Sequence, residues 1–215
     1  MFRNFFRPDS ALMITLSQIT DCIFLSLFWI MGCVPVVTAG ASFAALYDAT
    51  YRGLCKGDKH SWGRFLRVFK ENWKAGILPT IIFTGGCALD LHLVIQVWNS
   101  AVAGSISMAV FAGAALIGVL VLGMLSILFP MLSRFQNSFA GMLKNTVLLA
   151  MANMPRTLAL GIINAVSAFL CVRFIFPLFF LPSLSALIGS LFIEPMFKPY
   201  MPEEPAEEIT EEAAE

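Results

Sequence analysis

Long apolar runs dominate the chain, separated by a few short polar segments. A helix needs about 20 apolar residues to cross roughly 30 Å of hydrocarbon, because lipid offers a bare backbone no partner. Five runs approach that requirement: residues 12–34, 75–98, 103–132, 157–176 and 183–197. The first carries one charge, Asp21, and stops at Pro35. It is too long for a signal peptide, and no small-residue cleavage site follows it directly. The second holds Asp90 and His92. The third lies in a stretch free of Lys, Arg, Asp and Glu from Leu91 to Ser133. The fourth keeps Arg173 near its far end, where a long side chain reaches the headgroups. Pro177 and Pro182 then break the helix. The fifth is short and contains Glu194. It is expected as a crossing helix, with a re-entrant or interfacial helix as the alternative.

Two connecting segments also read as helical. In residues 61–74 the apolar residues Trp62, Phe65, Leu66, Phe69 and Trp73 recur at helical spacing, with Arg64, Arg67, Lys70 and Lys74 mostly between them. Ser61 is placed to cap this helix. Such a basic amphipathic helix fits an inner membrane surface, with its aromatic rings at headgroup depth. The alternative is that the aromatic face packs on the protein's own spans. Residues 41–52 form a second short helix after a turn at residues 35–40.

Composition agrees with a membrane protein. Hydrophobic residues make up 58% of the 215 and charged residues 13%, against about 25% charged in a soluble domain. That charge cannot cover a water-facing surface, so the fold class expected is an all-α polytopic bundle of about five transmembrane helices with cytoplasmic amphipathic helices. Residues 1–200 form one membrane domain, and 201–215 form an acidic tail expected to be disordered.

The formal net charge of zero conceals a separation: half of the 14 acids lie in the tail. The basic residues cluster at 52–74 and 134–156, which the positive-inside rule assigns to the cytoplasm. Five crossings then place the acidic tail inside and the N-terminus outside. Arg3 and Arg7 disagree with that side. A partial insertion near residues 35–45, reversing the parity of the first span, would reconcile them.

Candidate chemistry is sparse. Asp21 lies within the first span, with Ser17 and Gln18 one turn before it, and an ionisable group there costs several kcal/mol unless it is paired or hydrated. It reads either as an ion or substrate contact or as a buried acid hydrogen-bonded to a neighbouring helix. Asp90 and His92 point to nearly opposite faces of one helix and cannot form a site alone. The five cysteines show no metal or disulfide spacing. No phosphate loop, nucleophile elbow or dinucleotide fingerprint occurs, so no enzyme activity, cofactor or metal is expected. Alternating aromatics beside two spans make the basic segment a lipid contact rather than a nucleic-acid one. Small residues spaced by four, Ala109 with Gly113 and Ala114 with Gly118, suggest helix packing.

The stretch LFWIMGCVPVVTAG at residues 27–40 carries Trp29, Pro35, Thr38 and Gly40, followed by Ala44 and Ala45. With FLRVFKENW at 65–73 and the weaker FPMLSRF at 129–135, it resembles the YesL-like family of bacterial membrane proteins, whose function is unknown. The resemblance covers roughly residues 5–195. It implies a multi-pass protein of the bacterial inner membrane, of a kind encoded beside carbohydrate-uptake transporters, and transfers no catalytic residue. Physically, Pro35 ends the span, Thr38 is placed to cap the next helix, and Gly40 with the alanines allows close packing.

The function expected is therefore an accessory or regulatory membrane component associated with carbohydrate uptake. Its expected partners are the bilayer and a transporter. The alternative is a small transporter or channel using Asp21 and Asp90.

Overall fold

The computed structural model describes residues 11–55, 60–104, 107–135 and 138–200. The acidic tail and the two N-terminal arginines lie outside the described residues. Within those residues the chain is helical and has no strand. Seven helices form: α1 (Ala11–Cys33), α2 (Ala39–Thr50), α3 (Ser61–Val102), α4 (Met108–Arg134), α5 (Phe139–Ala152), α6 (Met154–Arg173) and α7 (Leu181–Phe197). Four of them, α1, α3, α4 and α6, are long and apolar enough to cross a membrane. Helix α7, at 17 residues, reaches about 26 Å at 1.5 Å per residue.

The surface-helix segment and the second predicted span are one element. Helix α3 runs unbroken for 42 residues, about 63 Å, because nothing at residues 74–75 stops it. Its first helical residue is Ser61, and the capping position falls to His60, which makes no side-chain cap bond. The predicted split of its apolar face is resolved by α2. Phe65 and Val68 are buried in a cluster with Leu25, Leu46 and Ala49. Trp62, Leu66 and Trp73 remain exposed, as do Arg67, Lys70 and Lys74. Helix α5, within the segment read only as a basic connection, forms behind an N-cap: Ser138 accepts from the Gly141 amide at 3.4 Å.

Helix α2 is the centre of the packing. Ten of its 12 residues are buried, which its composition permits. Ala41, Ala44, Ala45 and Ala49 are fully buried, and side chains this small let α1, α3, α4 and α7 close around it. A helix buried on all sides needs apolar or paired residues on every face. Its first turn docks where α3 is thinnest. The Gly40 amide, one of the donors a helix start leaves without a partner, donates to Thr80 Oγ1 at 2.9 Å. Thr80 in turn donates to the Gly76 carbonyl at 2.6 Å. A side chain at Gly40 would strike Thr80 and Phe129, and one at Gly76 would press on the Ala41 amide.

Contacts fix the relative directions. Phe28 stacks on Phe65 at 5.8 Å and Gly32 faces Phe69, so α1 and α3 advance together where they touch. Helix α2 opposes both: Gly40 meets Thr80, and Asp48 meets Arg64. Helix α4 opposes α3, with Asp90 over Gly118 and Trp98 against Phe111. Helix α6 opposes α4, with Thr157 at Gly123 and Gly161 at Val119. Helices α1 and α3 therefore run in the same direction where they touch, with α2 antiparallel to α3 between them. The left-handed Gly104 (φ +73°) ends the α3 turn, donating its amide to the Ala101 carbonyl.

Candidate functional site

Asp48 is the only acid in α2, and a carboxylate 3% exposed must be compensated. Three arginines from three segments supply the charge. Arg64 on α3 donates through Nε at 2.7 Å. Arg52, one turn beyond Asp48, and Arg134, at the end of α4, each bring Nε to 3.5 Å, a charge contact rather than a short hydrogen bond. Arg134 also donates to Glu194 of α7 at 2.9 Å, and its guanidinium lies 5.1 Å from the Tyr51 ring centre. Tyr47 donates its hydroxyl to the same Glu194 oxygen at 2.9 Å. Two acids and three arginines thus tie α2, α3, α4 and α7 together. Burial, and after it the nearby Glu194 charge, raises the Tyr51 phenol above its ordinary range.

Arg64 and Phe65 are thus turned into the protein, not towards a membrane surface. Phe69 is half-buried against Phe65, with ring centres 6.3 Å apart.

The turn motif has a different use from the one its sequence suggests. Pro35 follows the end of α1. Thr38 makes no side-chain cap bond to α2; it donates backwards instead, to the Gly32 carbonyl at 2.7 Å and the Pro35 carbonyl at 2.9 Å. It thereby satisfies carbonyls left open where α1 stops. Trp29 packs edge-on to Phe43 at 5.1 Å, and Phe43 stacks on Phe129 at 5.4 Å.

Asp21 and Asp90 do not share a site. Asp21 is half-buried on α1, and Ser17 and Gln18 beside it are exposed. Asp90 rests on Gly118, whose missing side chain makes room for the carboxylate. Helix α1 meets α3 near Phe65 and Phe69, some 21 residues, or about 32 Å of helix, before Asp90. A side chain at Gly113 would meet nothing within 4 Å, whereas α4 and α6 approach most closely at Gly123 and Gly161. Among the described residues no cluster of His, Cys, Asp and Glu could hold a metal ion.

A cavity of about 240 Å³ adjoins the ion cluster at Tyr47. Residues of α2, α4, α6 and α7 line it together with Trp29 of α1 and Leu178, and it opens to the surface on one side. Its lining is mainly Leu, Phe, Ala and Ile, with a polar strip of Ser126, Asn164, Ser167 and Ser185. Asn164 donates to Ser126 Oγ at 2.8 Å and to the Leu160 carbonyl at 2.9 Å.

A family model described as "Protein of unknown function, DUF624" matches residues 22–91, from within α1 through α2 to most of α3. The match is consistent with the YesL-like resemblance and carries no activity with it. No curated protein and no solved structure matches the chain.

Proposed function

We propose that the protein is a non-catalytic accessory component of the bacterial inner membrane, acting through contact with a transporter. The supporting observation is how the buried charge is used. Asp48 and Glu194 are neutralised by arginines across four helices, which makes a clamp rather than a conduction path or an acid–base pair. The alternative transporter reading rests on Asp21 of α1 and Asp90 of α3, which lie on different helices. The link to carbohydrate uptake rests on the family resemblance alone, an analogy rather than a site argument. Cross-linking in native membranes tests it. Recovery of a carbohydrate-transporter subunit, with altered uptake in a deletion strain, is expected. Recovery of none, with uptake unchanged, overturns the proposal.

In the same reading both ends of the chain face the cytoplasm. Helices α1 and α3 run in one direction with α2 as the return, so the segment before α1 shares a side with the basic start of α3. That arrangement leaves Arg173 alone among the 14 basic residues on the outer side and removes the conflict over Arg3 and Arg7. A reporter that fluoresces only in the cytoplasm is expected to be active at either end. Activity of a periplasmic reporter at the N-terminal end overturns this orientation.

A further inference from the structure

We propose that the acidic segment after Tyr200, residues 201–215, docks on the exposed basic face of α3 in the same chain, across Arg67, Lys70 and Lys74. The face supplies the first support. These three cations stand three and four residues apart, in one row along the helix, and all three are exposed. The ion pairs at this end of the bundle engage Arg52, Arg64 and Arg134 instead. Exposed Trp62, Leu66 and Trp73 form an apolar edge beside the row, and Lys74 lies 5.6 Å from the centre of the Trp73 ring. Glu71 is the one acid in residues 61–74, so the row keeps an excess of positive charge.

The second support is where the chain leads. The last turn of α7 and the first turn of α3 meet through the ion cluster: Arg134 donates to Glu194 and reaches Asp48, and Asp48 accepts from Arg64. Tyr200 shares a small cavity with Phe135, Asn145 and Leu148, and α5 touches α3. Lys74, the farthest cation of the row, lies about 15 Å of helix beyond Arg64. The residues after Tyr200 can extend to about 50 Å, so the whole row is within reach. This placement holds whichever side of the membrane that end of the bundle faces.

Charge complementarity is the third. Residues 201–215 carry Glu203, Glu204, Glu207, Glu208, Glu211, Glu212 and Glu215 and no Lys or Arg. No gap between these acids exceeds two residues, so a carboxylate falls near each cation wherever the segment crosses the row. The covalent tether holds them there at an effective concentration of the order of millimolar.

The fourth separates this occupant from a lipid surface. Helix α3 is unbroken, so residues 61–74 continue the line of the apolar run at 75–98 for about 21 Å. The headgroup layer on each side of the hydrocarbon is only about 5–8 Å thick. Arg67, about 10 Å along the helix from Lys74, stands clear of it. A helix lying on the membrane needs a break near residue 74, and α3 has none.

The test treats the full-length protein in phosphatidylcholine nanodiscs with a water-soluble carbodiimide, which joins an amine to a carboxylate in direct contact. Mixing isotope-labelled and unlabelled chains lets peptide mass spectrometry separate links within a chain from links between chains. Links within one chain from Lys70 and Lys74 to the tail glutamates are expected, falling at least about fivefold between about 0.05 M and about 0.5 M salt as screening strengthens. The tail variant Glu207→Lys/Glu208→Lys/Glu211→Lys/Glu212→Lys removes them, while the local link of Lys74 to Glu71 persists. Adding Arg67→Glu/Lys70→Glu/Lys74→Glu restores links between tail and α3 with amine and carboxylate exchanged, an outcome that misfolding cannot produce. Absence of tail links to α3, tail links confined to Lys144 or Lys198, links only between chains, or links undiminished at high salt overturn the proposal. So does their disappearance when about a third of the lipid is anionic phosphatidylglycerol, which would give the face to the membrane.

Discussion

Replacing Asp48 with asparagine is expected to cost about 3–5 kcal/mol of stability, the range for removing one partner of a buried ion pair. The loss comes less from the missing attraction than from what remains. Arg64 and Arg134 have side chains only 10% and 8% exposed, and an asparagine leaves their positive charge facing one another around a neutral amide. Glu194 then has to balance the cluster alone. Removing Arg64 as well, in the double variant Asp48→Asn/Arg64→Leu, is expected to recover part of the loss, because it relieves that repulsion and fills the space with apolar volume. Thermal unfolding of the detergent-purified variants, followed by circular dichroism, measures both. A single-variant loss below about 1 kcal/mol would place the cluster among ordinary surface pairs and defeat its role as a clamp. Additive losses in the double variant would show that Asp48 and Arg64 are not coupled.

That cluster also shows what the sequence made legible and what it hid. The long apolar helices followed directly from run length, because the requirement to bury backbone polar groups leaves few alternatives. Periodicity correctly made residues 61–74 a helix with an apolar face. It could not say what would cover that face, because lipid and a neighbouring helix reward the same pattern. Helix α2 decided the matter for Phe65 and Arg64, and nothing local in residues 61–74 reveals where α2 lies. Asp48 left a fainter trace: a single acid in a helix of alanines, one turn before Arg52. A lone carboxylate in so small and apolar a helix has to be paired, and the same reasoning applies to Glu194 in the last apolar run. Their partners, Arg64 and Arg134, stand 16 and 60 residues away, a separation that only the tertiary fold closes. The same limit applies to Thr38, whose position before a helix suggested a forward cap when the open carbonyls behind it were the stronger claim. The cavity had no sequence signal, since it is formed by faces of five different helices.

The crossing of α4 and α6 is where a single methyl group should matter most. A Cβ built on Gly161 would overlap the Val119 carbonyl, and one on Gly123 would overlap the Thr157 carbonyl. Both obstacles are backbone, which cannot swing away as a flexible side chain does. Gly161→Ala and Gly123→Ala are each expected to lower stability by about 1–3 kcal/mol, the usual cost of overpacking, even though alanine is the better helix former by about 1 kcal/mol. The two costs should not add. Once one alanine has pushed the helices apart, the second finds room already made, so the double variant is expected to lose less than the sum. Gly113→Ala supplies the contrast on the same helix: a Cβ there meets nothing within 4 Å, and helix propensity alone makes that change neutral or slightly stabilising. The separation has a consequence beyond stability. Leu122, Leu125 and Ser126 of α4 and Leu160 and Asn164 of α6 share the cavity wall, and the Asn164 hydrogen bond to Ser126 spans the two helices. Moving them apart breaks that bond and widens the cavity. Equal stability in the Gly161 and Gly113 variants would mean that the two backbones do not approach this closely, and the small-residue crossing would lose its role in shaping the cavity.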